Sequence, residues 1–86
     1  MGHYRKKPVV IEAVRYTGAN IAEIWDAFTA EHVYGPVDGV DGHPAYVETG
    51  GGRVVVNPGD WVIRGTAGEL YPCRPEIFEE TYEAVE

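Results

Sequence analysis

The stretch from Val56 to Tyr82 constrains the fold of this chain most, because turn, strand and helix signals follow one another without a gap. It opens on the run Asn-Pro-Gly-Asp at 57–60. Pro58 presets φ at the first central position of a turn, and Gly59 permits the positive φ of a type II turn at the second. The run therefore predicts a tight reversal before the next strand.

Two strands and a helix are predicted after this turn. Residues 61–64 begin with an aromatic and two β-branched residues, which is typical of a strand. Residues 69–73 predict a returning strand after the glycine-flanked turn 65–68. Pro72 cannot donate to a ladder, so the second strand is expected to lie at a sheet edge or to end at this proline. Pro75 suits the first position of a helix, where its missing N–H costs nothing.

The first half of the chain predicts a strand and an amphipathic helix. Residues 8–16 carry apolar side chains on both faces, which is typical of a central strand. Asn20, with Glu23 three residues later, predicts a capped helix start. Apolar residues then recur at helical spacing, and the helix is expected to end near His32, before Gly35 and a proline.

The remaining middle of the chain predicts a loop and a hairpin. Residues 37–43 are polar and glycine-rich, and strands 45–48 and 53–56 are joined by a tip at 49–52. Tight connections between successive strands favour an antiparallel arrangement. The expected fold is therefore one α+β domain over residues 1–86, with an antiparallel sheet of four to five strands, one amphipathic helix packed on it and a short C-terminal helix.

Composition limits the classes of function. The 86 residues carry a net charge of −7 with a pI near 4.8, which disfavours binding to nucleic acid or anionic lipid and is compatible with a basic protein partner. A single cysteine excludes an internal disulfide and fits a reducing compartment. No signal-peptide or membrane-spanning pattern is present, so a cytoplasmic protein is expected.

Charge is also unevenly distributed along the chain. The first segment is basic, through Arg5, Lys6, Lys7 and Arg15, whereas five glutamates between positions 76 and 86 make the end acidic. The two segments either neutralise one another within the chain or meet head to tail between subunits. Both alternatives are left open by the sequence.

The two ends of the chain resemble a family of small bacteriophage and prophage proteins. The resemblance rests on RKKPVVIEAVRYTGAN at 5–20, and on PGDWVIRG and GELYPCRPEIFEETYEAV at 58–65 and 68–85. Residues 32–52 lie outside it. The resemblance implies a phage or prophage origin and a bacterial cytoplasm, and it implies no particular activity.

Cys73 is the candidate for catalysis. A helix N-terminus and the neighbouring Arg74 are expected to lower its thiol pKa, but the sequence places no histidine beside it, so an inert, packed cysteine is favoured over a nucleophile. The histidines match no zinc pattern. The loop with Asp38, Asp41 and His43 lacks the ligands of a calcium site, and no metal or cofactor is expected.

The candidate ligand-binding residues are Arg64, Tyr71 and Arg74. Two guanidiniums beside a ring suit a nucleotide or another anion, although the nearby Glu69, Glu76 and Glu80 offer structural pairing instead. By analogy with the phage proteins that its ends resemble, the chain is expected to be a non-enzymatic accessory protein that binds a host protein or itself as a homo-oligomer. An oligomeric binder of a small anionic ligand is the alternative, and a cysteine-dependent enzyme is the weakest hypothesis.

Overall fold

The structure, a computed structural model, describes residues 1–4, 9–28, 32–36 and 39–85. Within these ranges the chain forms six strands and two helices. In chain order they are β1 (Glu12–Arg15), α1 (Ile21–Phe28), β2 (Val33–Tyr34), β3 (Ala45–Thr49), β4 (Gly52–Val56), β5 (Trp61–Arg64), β6 (Leu70–Cys73) and α2 (Pro75–Thr81). The α+β class and the antiparallel pairing are as predicted.

The strands form two sheets rather than the predicted single sheet. One has the order β1-β5-β6 and the other the order β2-β3-β4. The chain changes sheet at the 57–60 turn, where the Gly59 N–H donates to the Tyr16 carbonyl (2.6 Å) and the Tyr16 N–H to the Asp60 carbonyl (2.8 Å). These bonds align β5 with β1 instead of with β4.

β1 differs from the predicted central strand. Of the predicted range 8–16 only Glu12–Arg15 is strand, and Pro8 lies outside the described residues. β1 stands at one edge of its sheet, and β5 is the central strand. Val14 of β1 packs against the core, whereas Val9 and Val10 precede the strand and are exposed.

The predicted turn and the two proline positions are confirmed. The Asp60 N–H donates to the Asn57 carbonyl (2.9 Å), and Gly59 has φ +100°. Pro72 lies in β6 at a sheet edge, and Pro75 is the first residue of α2. Each feature is set by local backbone geometry.

The start of α1 is built differently from a standard capping box. The Asn20 side chain donates to the Glu23 carboxylate (2.7 Å) and to the Arg15 carbonyl (2.7 Å), and it accepts from the Thr17 N–H (2.8 Å). Asn20 thus ties the helix to the end of β1. In the described residues α1 runs to Phe28 and β2 begins at Val33; the predicted helix end near His32 stays a prediction, because residues 29–31 lie outside the described ranges.

The core lies between the two sheets and α1. Tyr16, at the end of β1, is fully buried and donates its hydroxyl hydrogen to the His43 carbonyl (2.7 Å). The remaining members of the cluster are apolar side chains from α1 and five strands: Ile24, Phe28, Val33, Ala45, Val47, Val56, Val62 and Leu70. Ile63 is equally buried but lies outside this cluster.

Candidate functional site

Strand register separates Arg64 from Tyr71, two of the three predicted ligand-binding residues. In the β5–β6 ladder Arg64 faces Leu70, whereas Tyr71 faces Ile63. Because successive residues of a strand point to opposite faces and facing residues share a face, Arg64 and Tyr71 lie on opposite faces of the sheet. They cannot contact one small ligand together.

Arg64 is engaged by groups on the inner face of its sheet. Its Nη2 donates to Oε1 of Glu12 at 2.5 Å, across the β1–β5 pair. Its guanidinium carbon also lies 5.4 Å from the centre of the Phe28 ring. Such contacts orient an arginine within its own chain and leave its fork of donors partly occupied.

Tyr71 belongs to an aromatic cluster that holds α2 on the outer face of the β1-β5-β6 sheet. The ring of Trp61 stacks on Phe78 with centroids 4.0 Å apart and planes at 7°, and Phe78 meets Tyr82 at 5.1 Å. A hydrogen bond to the Tyr82 hydroxyl, with burial second, raises the pKa of Tyr71 to about 12. The Tyr71 hydroxyl is therefore bound to Tyr82, the residue that follows α2, and already has a partner from the chain itself.

Arg74, the third predicted residue, precedes α2 and is strongly exposed. Its Nε lies 3.3 Å from Oε1 of Glu76, and 74% of its side chain is accessible. The structure thus distributes the three residues over three surroundings, each with a partner from the chain itself. No sequence pattern indicated this separation, because it depends on the β5–β6 register.

Cys73 lines a cleft of about 460 Å³ between the end of β4, the 57–60 turn and the start of α2. Burial raises the pKa of its thiol, and the carboxylates of Asp60 and Glu76 raise it further. The expectation that Arg74 and the helix start would lower this pKa is therefore wrong. The Arg74 guanidinium is directed to Glu76, and the thiol donates to the Arg74 carbonyl at 3.6 Å.

Within the described ranges there is no group of three histidine, cysteine or carboxylate side chains suited to a metal ion. His32 Nδ1 lies 3.4 Å from Oε2 of Glu48, near a second cleft of about 460 Å³ beside the β3–β4 hairpin tip. Of the loop residues considered for a cation, Asp38 lies outside the described ranges.

The outer face of the β2-β3-β4 sheet is the surface that sequence reasoning missed. Register places Tyr34, Tyr46 and Val55 in one row across it and Glu48 beside Arg53 in the next. We call these five residues the tyrosine face. Two of its contacts are internal: the Arg53 guanidinium lies 4.0 Å from the centre of the Tyr34 ring, and the Tyr34 hydroxyl donates to Glu48 (3.2 Å).

The edge of the same sheet is apolar and accessible. Val54 and Val55 of β4 are 38% and 42% exposed. Among the described residues they are the only large hydrophobic side chains of a strand that are this exposed. The run of valines at 54–56 was the available signal, but no residue of this run indicated that its strand would stand at an edge.

Comparison with known proteins gives no relative: no family model matches the chain, and no curated protein or solved structure does. In the part of the chain that the structure describes, neither helix has the length and hydrophobicity needed to cross a bilayer.

Proposed function

We propose that this chain is a small accessory protein, of the phage or prophage kind that its two ends resemble, and that it acts by binding another protein chain rather than by catalysis. The binding surface is the tyrosine face together with the neighbouring edge of β4. The partner is a host protein or a second copy of the chain.

One observation carries the proposal: exposed valines of an edge strand adjoin a row of tyrosines with an arginine at its border. Tyrosine and arginine are enriched in protein interfaces, where rigid rings supply contact area and guanidiniums supply directed hydrogen bonds. The Tyr34–Arg53 contact fixes both side chains before any partner arrives. A surface ordered in this way loses little side-chain entropy on binding.

The alternative of a small-anion binder has less support from the geometry. Arg64 and Tyr71 lie on opposite faces of a sheet, and Arg74 is exposed beside Glu76. Tight recognition of an anion needs several donors that converge on one point. The enzyme hypothesis has similarly little support, because the surroundings of Cys73 favour the protonated thiol.

Photo-crosslinking in bacterial cells tests the proposal. A benzophenone amino acid placed at Tyr46 should form a covalent protein adduct, whereas the same group at Ile77, which is 51% exposed on α2, should not. The change Arg53→Glu in the Tyr46-labelled chain should abolish the adduct by reversing the charge beside the rings. Equal adduct yields at the two positions, or no adduct at 46, would contradict the proposal.

A further inference from the structure

β4 has one paired and one open side. It pairs with β3 through five residue pairs from Ala45–Val56 to Thr49–Gly52, and among the described residues no strand lies on its other side. In an antiparallel ladder alternate residues direct their N–H and C=O groups to the two sides. Thr49 and Gly52 form the pair that closes the two-residue hairpin loop, so Gly52 directs its N–H and C=O groups towards β3. By alternation along β4, Arg53 and Val55 direct their N–H and C=O groups to the open side.

The other three edge strands carry features that hinder pairing. β6 contains Pro72, which lacks an N–H, and β2 is only two residues long. β1 has a charged residue at each end, Glu12 and Arg15. Short edges, prolines and charges are the means by which proteins prevent strand addition. β4 has five residues, no proline and one charge, so it is the least protected edge that the structure describes.

We propose that β4 pairs antiparallel with β4 of a second copy about a twofold axis, which joins two three-stranded sheets into one of six strands. This inference rests on the protein-binding function proposed above and names the partner. A twofold contact is self-complementary, so one edge meets an identical edge. Backbone hydrogen bonds then form from the outward-directed groups of both copies.

The side-chain pattern selects the register. Both copies must present the same faces, so a residue on the inner face has to meet a residue on the inner face. With the axis at Val54, this residue faces its own copy and Arg53 faces Val55 of the other chain. The inner row then runs Val33, Val47, Val54 and continues through the same residues of the second copy.

Charge also favours a second copy in this register. The chain carries a net charge of −7, so most of its surface repels a second copy of the chain. β4 contains no carboxylate, and its one charged side chain, Arg53, stands beside Glu48 of its own chain. With the axis at Val54 no like charges face one another, whereas an axis at Arg53 would oppose two guanidiniums.

Molar mass by light scattering is the first test. At about 100 μM, above the dissociation constants of ordinary interfaces, the wild-type chain should have twice its mass of 9.5 kDa. Val54→Lys opposes two ammonium groups at the axis and should raise the dimer dissociation constant at least ~100-fold. Val9→Lys is the matched control, since Val9 is 48% exposed and outside every strand; it should remain dimeric.

Disulfide trapping tests the register without a charged substitution. In a Cys73→Ser background, Val54→Cys places two cysteines directly opposite at about 4.5 Å between Cα atoms, within disulfide range. Val55→Cys displaces them by two residues along the strand, beyond that range. Mild oxidation should therefore crosslink the first variant and leave the second monomeric in denaturing gels.

Failure of this inference can be told apart from failure of the proposed function. A monomeric wild-type chain, a dimer that survives Val54→Lys, or equal crosslinking at 54 and 55 would each overturn the β4 contact. If the Tyr46 photo-adduct nevertheless forms, its mass shows a different partner or a different self-contact, and protein binding stands. If both experiments fail, the proposed function falls as well.

Discussion

Replacement of Gly18 by alanine tests how closely the end of β1 packs on the 39–43 loop. Gly18 is buried with φ +97°, and a Cβ there would lie 3.0 Å from the Gly42 Cα and 3.3 Å from Cγ of Pro58. The Gly42 N–H also donates to the Gly18 carbonyl at 2.8 Å. The backbone of Gly42 therefore cannot move away without loss of this bond.

Gly59 supplies the control, because its φ is +100° but the nearest atom to an added Cβ is Nη2 of the flexible Arg15, at 4.0 Å. Positive φ costs an alanine about 1–2 kcal/mol, and the stiffer unfolded chain returns about 0.4–1 kcal/mol. Both terms are shared by the two variants. The close contact adds about 1–3 kcal/mol at Gly18 alone, as for other overpacked sites.

We expect Gly18→Ala to lower the free energy of unfolding by about 2–4 kcal/mol and Gly59→Ala by about 1 kcal/mol. Urea denaturation followed by the fluorescence of Trp25 and Trp61 measures both. A loss for Gly18→Ala equal to or below that for Gly59→Ala would refute the reasoning, since backbone strain would then account for the whole effect.

Two further predictions concern titratable groups. The hydrogen bond to Tyr82 raises the pKa of Tyr71 above its ordinary value of 10.0 to about 12, so its stabilisation is complete below pH 10.0 and is lost as the pH rises towards 12. In urea denaturation, the free energy of unfolding of Tyr71→Phe should fall less than that of the wild-type chain when the pH rises from about 9 to about 11.5. Equal falls in the two proteins would contradict this prediction. Cys73, whose thiol pKa is raised by burial, should react with a disulfide reagent at neutral pH more slowly in the native chain than in urea; equal rates would show an accessible thiolate.

The features that the sequence predicted well are those with local causes. The reversal at 57–60 follows from a proline and a glycine in adjacent positions, and the start of α2 follows from Pro75. Pro72 indicated an edge because a missing N–H has the same consequence in any sheet. The β3–β4 hairpin and its glycine tip were equally local.

The features that were missed depend on residues distant in sequence. Two sheets form because Tyr16 bonds the 57–60 turn, a contact that no local pattern encodes. The predicted ligand site failed to assemble for the same reason, since one residue of register decides whether Arg64 and Tyr71 share a face. β2 is too short to give a periodic signal.

The way α2 is attached has a consequence for how the molecule opens. The helix contributes no fully buried residue, and the Trp61–Phe78 stack fastens it to a sheet whose interior lies on the other side. Its release breaks this stack and the hydrogen bond between Tyr71 and Tyr82, and it leaves every member of the main core in place. The carboxyl-terminal helix is therefore expected to open as a separate cooperative unit, with amide exchange faster than in β5 and set by its aromatic contacts rather than by global unfolding.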